Sequence, residues 1–169
     1  MHASIQVWVA GIRERFPDHF RPGVRVLEYG SRNINGGVRP WFQGAAEYVG
    51  IDYHPGPGVD WTGCAHDYEH PVGQFDVVIT TETLEHDPYW ERTLEHAVRN
   101  LRPGGLLVMT CAGPKRPPHN HDDSPTPGYY ANLAPGQVQE HLESLSEWAH
   151  LDVHLQRMDL DLHCVGVLP

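Results

Sequence analysis

Three groups of side chains in this sequence have types and spacing suited to chemistry. The first is Glu28-Tyr29-Gly30-Ser31, followed at a distance by Asp52-Tyr53. A glycine after a strand lets backbone approach a ligand, a helix start offers unpaired N–H groups, and a carboxylate about 20 residues on accepts from ribose hydroxyls. The pattern is that of a nucleotide-binding turn, although a glycine turn of this kind also serves packing alone. The second group is Thr81-Glu82, with Leu84-Glu85-His86 directly behind. Imidazole titrates near working pH, so His86 is a candidate base; the alternative is a histidine hydrogen-bonded to hold the following helix. The third is His119-Asn120-His121-Asp122-Asp123. Imidazole with carboxylate permits a divalent-ion site, a substrate-contacting lid or a solvated loop; the lid is preferred, with His119 and His121 as candidate catalytic residues and no residue assigned to a metal.

The elements that must position these groups follow from periodicity and punctuation. Residues 3–16 carry Ile5, Val9 and Ile12 on one stripe with Trp8 and Phe16 beside it, which predicts an N-terminal amphipathic helix ended by Pro17 and Arg21-Pro22-Gly23. A strand is expected at Val24–Tyr29, then a short helix capped by Asn35 with Pro40 in its first turn, then a strand at Glu47–Asp52. His54-Pro55-Gly56-Pro57-Gly58 forms a rigid loop, and a third strand is expected at Val59–Cys64, leading to Ala65-His66-Asp67-Tyr68. Phe75–Thr80 is an apolar run of strand length, as in a strand covered on both faces. Asp87 and Pro88 start a helix that runs to about Leu101, where Arg102-Pro103-Gly104-Gly105 stops it before a strand at Leu106–Cys111. Residues 112–130 are rich in proline and histidine and lack apolar periodicity, the mark of a functional loop. A helix over Pro135–His150 and strands at Leu151–Met158 and Leu162–Leu168 complete the chain. The alternation predicts a single α/β domain over 1–169, doubly wound and Rossmann-like, with a mostly parallel sheet of about seven strands ending in an antiparallel hairpin.

Composition limits the function. With 169 residues the chain suits one domain and leaves no mass for a separate substrate domain. There are 22 acids against 12 bases, a net charge of −10, and no basic cluster, which argues against free nucleic acid as a partner. No run approaches a membrane span and the first residues lack the features of a secretion signal, so a cytoplasmic location is expected. Cys64, Cys111 and Cys164 are odd in number and widely spaced, which fits core thiols and neither a disulfide framework nor a cysteine zinc site. Nothing in the sequence specifies an oligomeric state.

In order along the chain, Val26-Leu27-Glu28-Tyr29-Gly30-Ser31, the strand-end Asp52, Asp67, Phe75-Asp76-Val77-Val78 with Glu82-Thr83-Leu84-Glu85-His86, and Leu101-Arg102-Pro103-Gly104-Gly105 together resemble the class I S-adenosylmethionine-dependent methyltransferases. The resemblance spans about residues 24–111. The family's first motif places further glycines where this chain has Arg32 and Ile34, so its cofactor loop is expected to differ in shape. The resemblance implies S-adenosylmethionine as cofactor, with Glu28, Gly30 and Ser31 at the first turn and Gly30 against the methionine part. It implies Asp52 on the ribose hydroxyls, Tyr53 beside the adenine and Asp67 accepting from the adenine amino group. Thr81 and Glu82, past the fourth strand at the rim where open parallel sheets bind ligands, join this set. The expected reaction is methyl transfer to an oxygen or nitrogen of a small polar acceptor, and some natural-product members of the family use a divalent ion to orient a diol or catechol. A nicotinamide-dependent oxidoreductase and a cofactor-binding protein without catalysis are the competing readings.

Overall fold

The computed structural model describes residues 3–120, 128–156 and 158–169. Seven strands form one sheet: β1 (Arg25–Tyr29), β2 (Glu47–Asp52), β3 (Trp61–Thr62), β4 (Phe75–Thr81), β5 (Leu101–Ala112), β6 (His150–Gln156) and β7 (Asp161–Val167). Their spatial order is β3-β2-β1-β4-β5-β7-β6, with β1 to β5 parallel and β7 antiparallel to both β5 and β6. The order reverses direction at β1, so the chain crosses from one half of the sheet to the other between β3 and β4. That is the switch point at which open α/β sheets bind ligands.

Strand alternation sends successive side chains to opposite faces, and the apolar residues follow it. Val26, Val77, Ile79, Leu106 and Val108 point to one face, where Ile5, Val9 and Ile12 of α1 (Ala3–Arg15) cover them. Leu27, Tyr29, Val78, Leu107 and Met109 point to the other. There they meet Leu94 and Ala97 of α2 (Trp90–Asn100) and Val138 and Leu142 of α3 (Pro135–Leu145). Cys111 and Cys164 are buried thiols in this second layer, and all three cysteines are free. Among the described residues no helix is long and apolar enough to cross a membrane.

Several boundaries differ from the sequence expectation, each for a local reason. No α-helix forms between β1 and β2. Asn33, and not Asn35, accepts from the Gly36 N–H at 2.9 Å, and the only helical turn is the 3-10 segment Arg39–Phe42 with Pro40 at its start. The third strand shrinks to two residues because Gly56 to Asp60 form hydrogen-bonded turns, with Val59 N–H on Gly56 O and Asp60 N–H on Gly50 O. Arg102-Pro103-Gly104-Gly105 does not separate helix from strand: β5 pairs from Leu101 onward and absorbs the glycine turn as a bulge between Phe75 and Val77. Helix α2 starts two residues later than expected, yet Asp87 still serves its start, accepting from Tyr89 N–H at 2.8 Å and from the Thr93 hydroxyl at 2.6 Å. Helix α3 stops at Leu145, where the Trp148 indole N–H turns back to donate to Leu142 O at 2.9 Å.

Candidate active site

A cleft of about 1000 Å³ opens along the C-terminal rim of β1, β2 and β4. Its first half is built by the turn after β1 and the end of β2. Gly30 has φ +72°, and a Cβ there would overlap the side chain of Thr83, so no other residue fits without moving the turn after β4. Thr83 is itself pinned, donating its hydroxyl to Thr81 O at 3.1 Å. Gly30 is thus required by side-chain packing across the rim, a reason the sequence does not show.

Asp52 stands at the end of β2 with both carboxylate oxygens engaged by backbone. Arg32 N–H donates to Oδ2 at 3.1 Å and His54 N–H to Oδ1 at 2.9 Å. These bonds draw the 31–33 and 53–58 loops together, and Asn33 N–H on Pro57 O at 2.8 Å completes the seam. Arg39 reinforces it by donating to Gly58 O, Tyr48 O and Asp60 Oδ2. Ser31 is 5% exposed and its hydroxyl has no hydrogen-bond partner among the described residues, although it lines the cleft. Glu28 lies at the cleft's floor and accepts from the Tyr48 hydroxyl at 2.6 Å. Burial pushes its carboxyl up to about 7, against the pull of the Tyr48 hydrogen bond and the Arg39 guanidinium.

The second half is built by the turn after β4 and the segment after β5. Glu82 has φ +54°, a left-handed conformation that costs a non-glycine residue of order 1 kcal/mol or more and collects at functional rims. Its carboxylate accepts from Arg116 at 2.6 Å, and the same guanidinium reaches Asp161 Oδ1 at 3.2 Å. Glu85 is fully buried beside this triad, and neither of its oxygens has a hydrogen-bond partner among the described residues. Burial, and after it the charge of Glu82, pushes the Glu85 carboxyl up to about 8. Above it the rings of His86, His119 and Tyr130 pack edge to face, with centroids 5.0–5.5 Å apart. Burial pushes the Tyr130 phenol up to about 12, so it remains a donor, to Pro117 O at 3.4 Å.

Of the residues singled out from sequence, the structure brings Glu28, Gly30, Ser31, Asp52, Tyr53, Thr81, Glu82, His86 and His119 to the walls of this one cleft. Asp67 stands apart. The stretch from Gly63 to His66 lines the cleft, whereas the Asp67 side chain is 62% exposed with His66 Nε2 at 3.9 Å. His121, with Asp122 and Asp123, lies outside the described residues. Sequence reasoning missed Thr83, Arg116 and Asp161, and gave Glu85 no role. Glu85 sits between Leu84 and His86 in a motif already singled out; Arg116 lies in a proline-rich stretch with no periodicity to mark it.

The family model described as "Methyltransferase domain" matches residues 2–161. No curated protein shows significant sequence similarity to the chain. Among solved structures it is similar to a Haemonchus contortus phosphoethanolamine N-methyltransferase 2 bound to phosphomonomethylethanolamine and S-adenosylhomocysteine. The two share 15% identity at a TM-score of 0.67, over 94% of this chain and 52% of that one, so this chain spans about half the length of that relative. It is also similar to the Burkholderia thailandensis 1,6-didemethyltoxoflavin-N1-methyltransferase bound to its substrate and S-adenosylhomocysteine, with 16% identity, TM-score 0.69, and coverage of 98% and 78%. A third likeness is to the [4+2]-cyclase SpnF, with 16% identity, TM-score 0.67, and coverage of 94% and 80%. At these identities the structures establish the fold, and the cyclase shows that the fold alone does not name a reaction. With the family match over nearly its whole length, its ordered motifs and this sheet order, the chain belongs to the class I S-adenosylmethionine-dependent methyltransferases.

Proposed function

We propose that this chain transfers the methyl group of S-adenosylmethionine to an oxygen or nitrogen of a small polar acceptor. The cofactor would occupy the β1–β2 half of the cleft, with the acceptor under His86, His119 and Tyr129. The observation that carries this reading is the continuity of the two halves in one cleft of about 1000 Å³, large enough for a nucleoside cofactor and a small partner. The residues fit such a cofactor. The buried Ser31 hydroxyl has no partner of its own, and Asp52 spends only part of its accepting capacity on two backbone N–H groups, leaving lone pairs for ribose hydroxyls. The Gly63–His66 stretch, more than the Asp67 carboxylate, borders the place an adenine would take.

A bound sulfonium supplies its own leaving group, so the chain's contribution is alignment and exclusion of water. Thr81 and the pinned Thr83 would hold the floor, and His86, which lines the same cleft, would take a proton from an acceptor hydroxyl or ammonium. Two structural neighbours are N-methyltransferases of small molecules, which supports a small acceptor and, of the two atoms, nitrogen.

The test is product formation. Purified protein is incubated with S-adenosylmethionine and panels of small amines and hydroxyl compounds, and S-adenosylhomocysteine release is measured. Acceptor-dependent release is the expected result. Stabilisation by NAD but not by S-adenosylhomocysteine in thermal shift would instead favour the nicotinamide reading, and cofactor binding without release for any panel member would favour a binding protein.

A further inference from the structure

Glu85, His86 and His119 come from two separate stretches, the turn after β4 and the segment after β5, yet their ligand atoms all lie within 4.8 Å of one another. Around a tetrahedral ion with bonds of about 2.1 Å, ligand atoms are about 3.4 Å apart. Side-chain rotation of about 1 Å therefore closes the set. His86 and His119 line the cleft, with Glu85 buried behind them.

Two further observations point to a cation at this place. A fully buried carboxyl group is normally paired or well hydrogen-bonded, and neither oxygen of Glu85 has a partner of good geometry among the described residues, with the Glu85 and Ala112 backbone N–H groups acting on it only weakly. His119 is prepared for ligation as well, because its Nδ1 lies 3.3 Å from Pro117 O and must carry the proton to donate there, which leaves the Nε2 lone pair for a metal.

A second cluster, Cys64, His66 and Asp67, is also compact. It lacks these features, because its carboxylate, Asp67, is mostly exposed to solvent.

We propose that Glu85, His86 and His119 form a three-ligand site for a first-row divalent cation such as zinc, manganese or cobalt, open toward the acceptor half of the cleft. Two imidazoles and one carboxylate suit these ions better than calcium or magnesium, which prefer oxygen. The site departs from the sequence expectation of no metal ligand. It deepens the methyl-transfer reading, on which its consequence for the acceptor rests, and replaces proton removal by His86, whose ring lone pair the ion would take: an ion with an open position would lower the pKa of a bound hydroxyl, which selects oxygen acceptors over amines.

The experiment is calorimetric titration of the chelator-stripped protein with Zn²⁺ and, separately, Mn²⁺. Wild type, Glu85→Gln, His119→Ala and Cys64→Ser are compared, with circular dichroism as a folding control. The expected result is one ion per chain at micromolar affinity or tighter, weakened at least about 50-fold in Glu85→Gln and His119→Ala and unchanged in Cys64→Ser. Should Glu85→Gln fail to fold, His119→Ala at the exposed rim decides alone. Absence of saturable one-ion binding in wild type, equal affinity in His119→Ala, or a loss confined to Cys64→Ser would each overturn the site. Binding of S-adenosylhomocysteine to the same stripped protein, measured in parallel, separates failure of the metal site from failure of the cofactor reading.

Discussion

The two halves of the cleft treat their acids in opposite ways. At the β1–β2 end, Asp52 is held by two backbone N–H groups and Glu28 by the Tyr48 hydroxyl, so that this half is organised by its own hydrogen bonds. At the β4–β5 end, Glu82 sits in a left-handed backbone conformation, Arg116 is shared between two carboxylates, and Glu85 has no hydrogen-bond partner among the described residues. One half is finished by its own hydrogen bonds, and the other leaves a buried carboxyl without one of good geometry. The difference teaches that the first half is set in place by bonds of its own, whereas the second leaves a buried carboxyl open to a further partner.

The largest effect that would break this comparison is at the seam between the halves. Gly30→Val should cost more than about 4 kcal/mol or prevent folding, since a left-handed backbone and overlap with Thr83 both oppose it. Gly56→Ala should be tolerated, because its Cβ would meet only the flexible stem of Arg32, nearest at 3.1 Å. Urea denaturation of both variants checks this, and a stable Gly30→Val would show that the Thr83 contact yields. Next comes Arg116→Met, which removes the guanidinium shared by the buried Asp161 and the part-buried Glu82 and should cost about 3–5 kcal/mol. The adjacent Lys115→Ala, which removes an exposed pair with Asp159, should change stability by no more than about 0.5 kcal/mol.

A smaller effect concerns pH at the finished end. The Glu28 carboxyl titrates near the ordinary 4.5 when the chain is unfolded and near 7 when folded. Between those values the folded state holds a proton that the unfolded state has lost. Stability therefore falls as pH rises from 4.5 to 7 and stays lower above that window. Glu28→Gln removes this slope and should make the ligand-free protein more stable than wild type at pH 8, by up to about 3 kcal/mol. Thermal melts across that range decide it; parallel profiles for the two proteins would mean that Glu28 stays ionised when folded.

The finished half was also the legible half. Strand, glycine turn, strand and terminal acid are encoded locally, so Gly30 and Asp52 could be named from spacing, and Glu28 and Ser31 from the resemblance that the same stretch carries. The antiparallel final hairpin was readable for the same reason, from alternation on either side of a turn. The other half depends on contacts distant in sequence: Arg116 reaches back to Glu82 and on to Asp161, and His119 meets His86 across 33 positions. No periodicity announces such pairs. The expected helix after β1 failed because Asn33 closes a turn on Gly36, a local competition between side chain and backbone that residue type alone did not resolve.

The central claim is that the β1–β2 half holds the nucleoside of S-adenosylmethionine through Asp52. Calorimetric titration of S-adenosylhomocysteine into wild type and Asp52→Ala tests it most directly. The account predicts saturable one-site binding to wild type and a loss of about 1.5–3 kcal/mol, tenfold or more in affinity, in a folded Asp52→Ala. Equal affinity in the two folded proteins, or no binding to wild type, would contradict it.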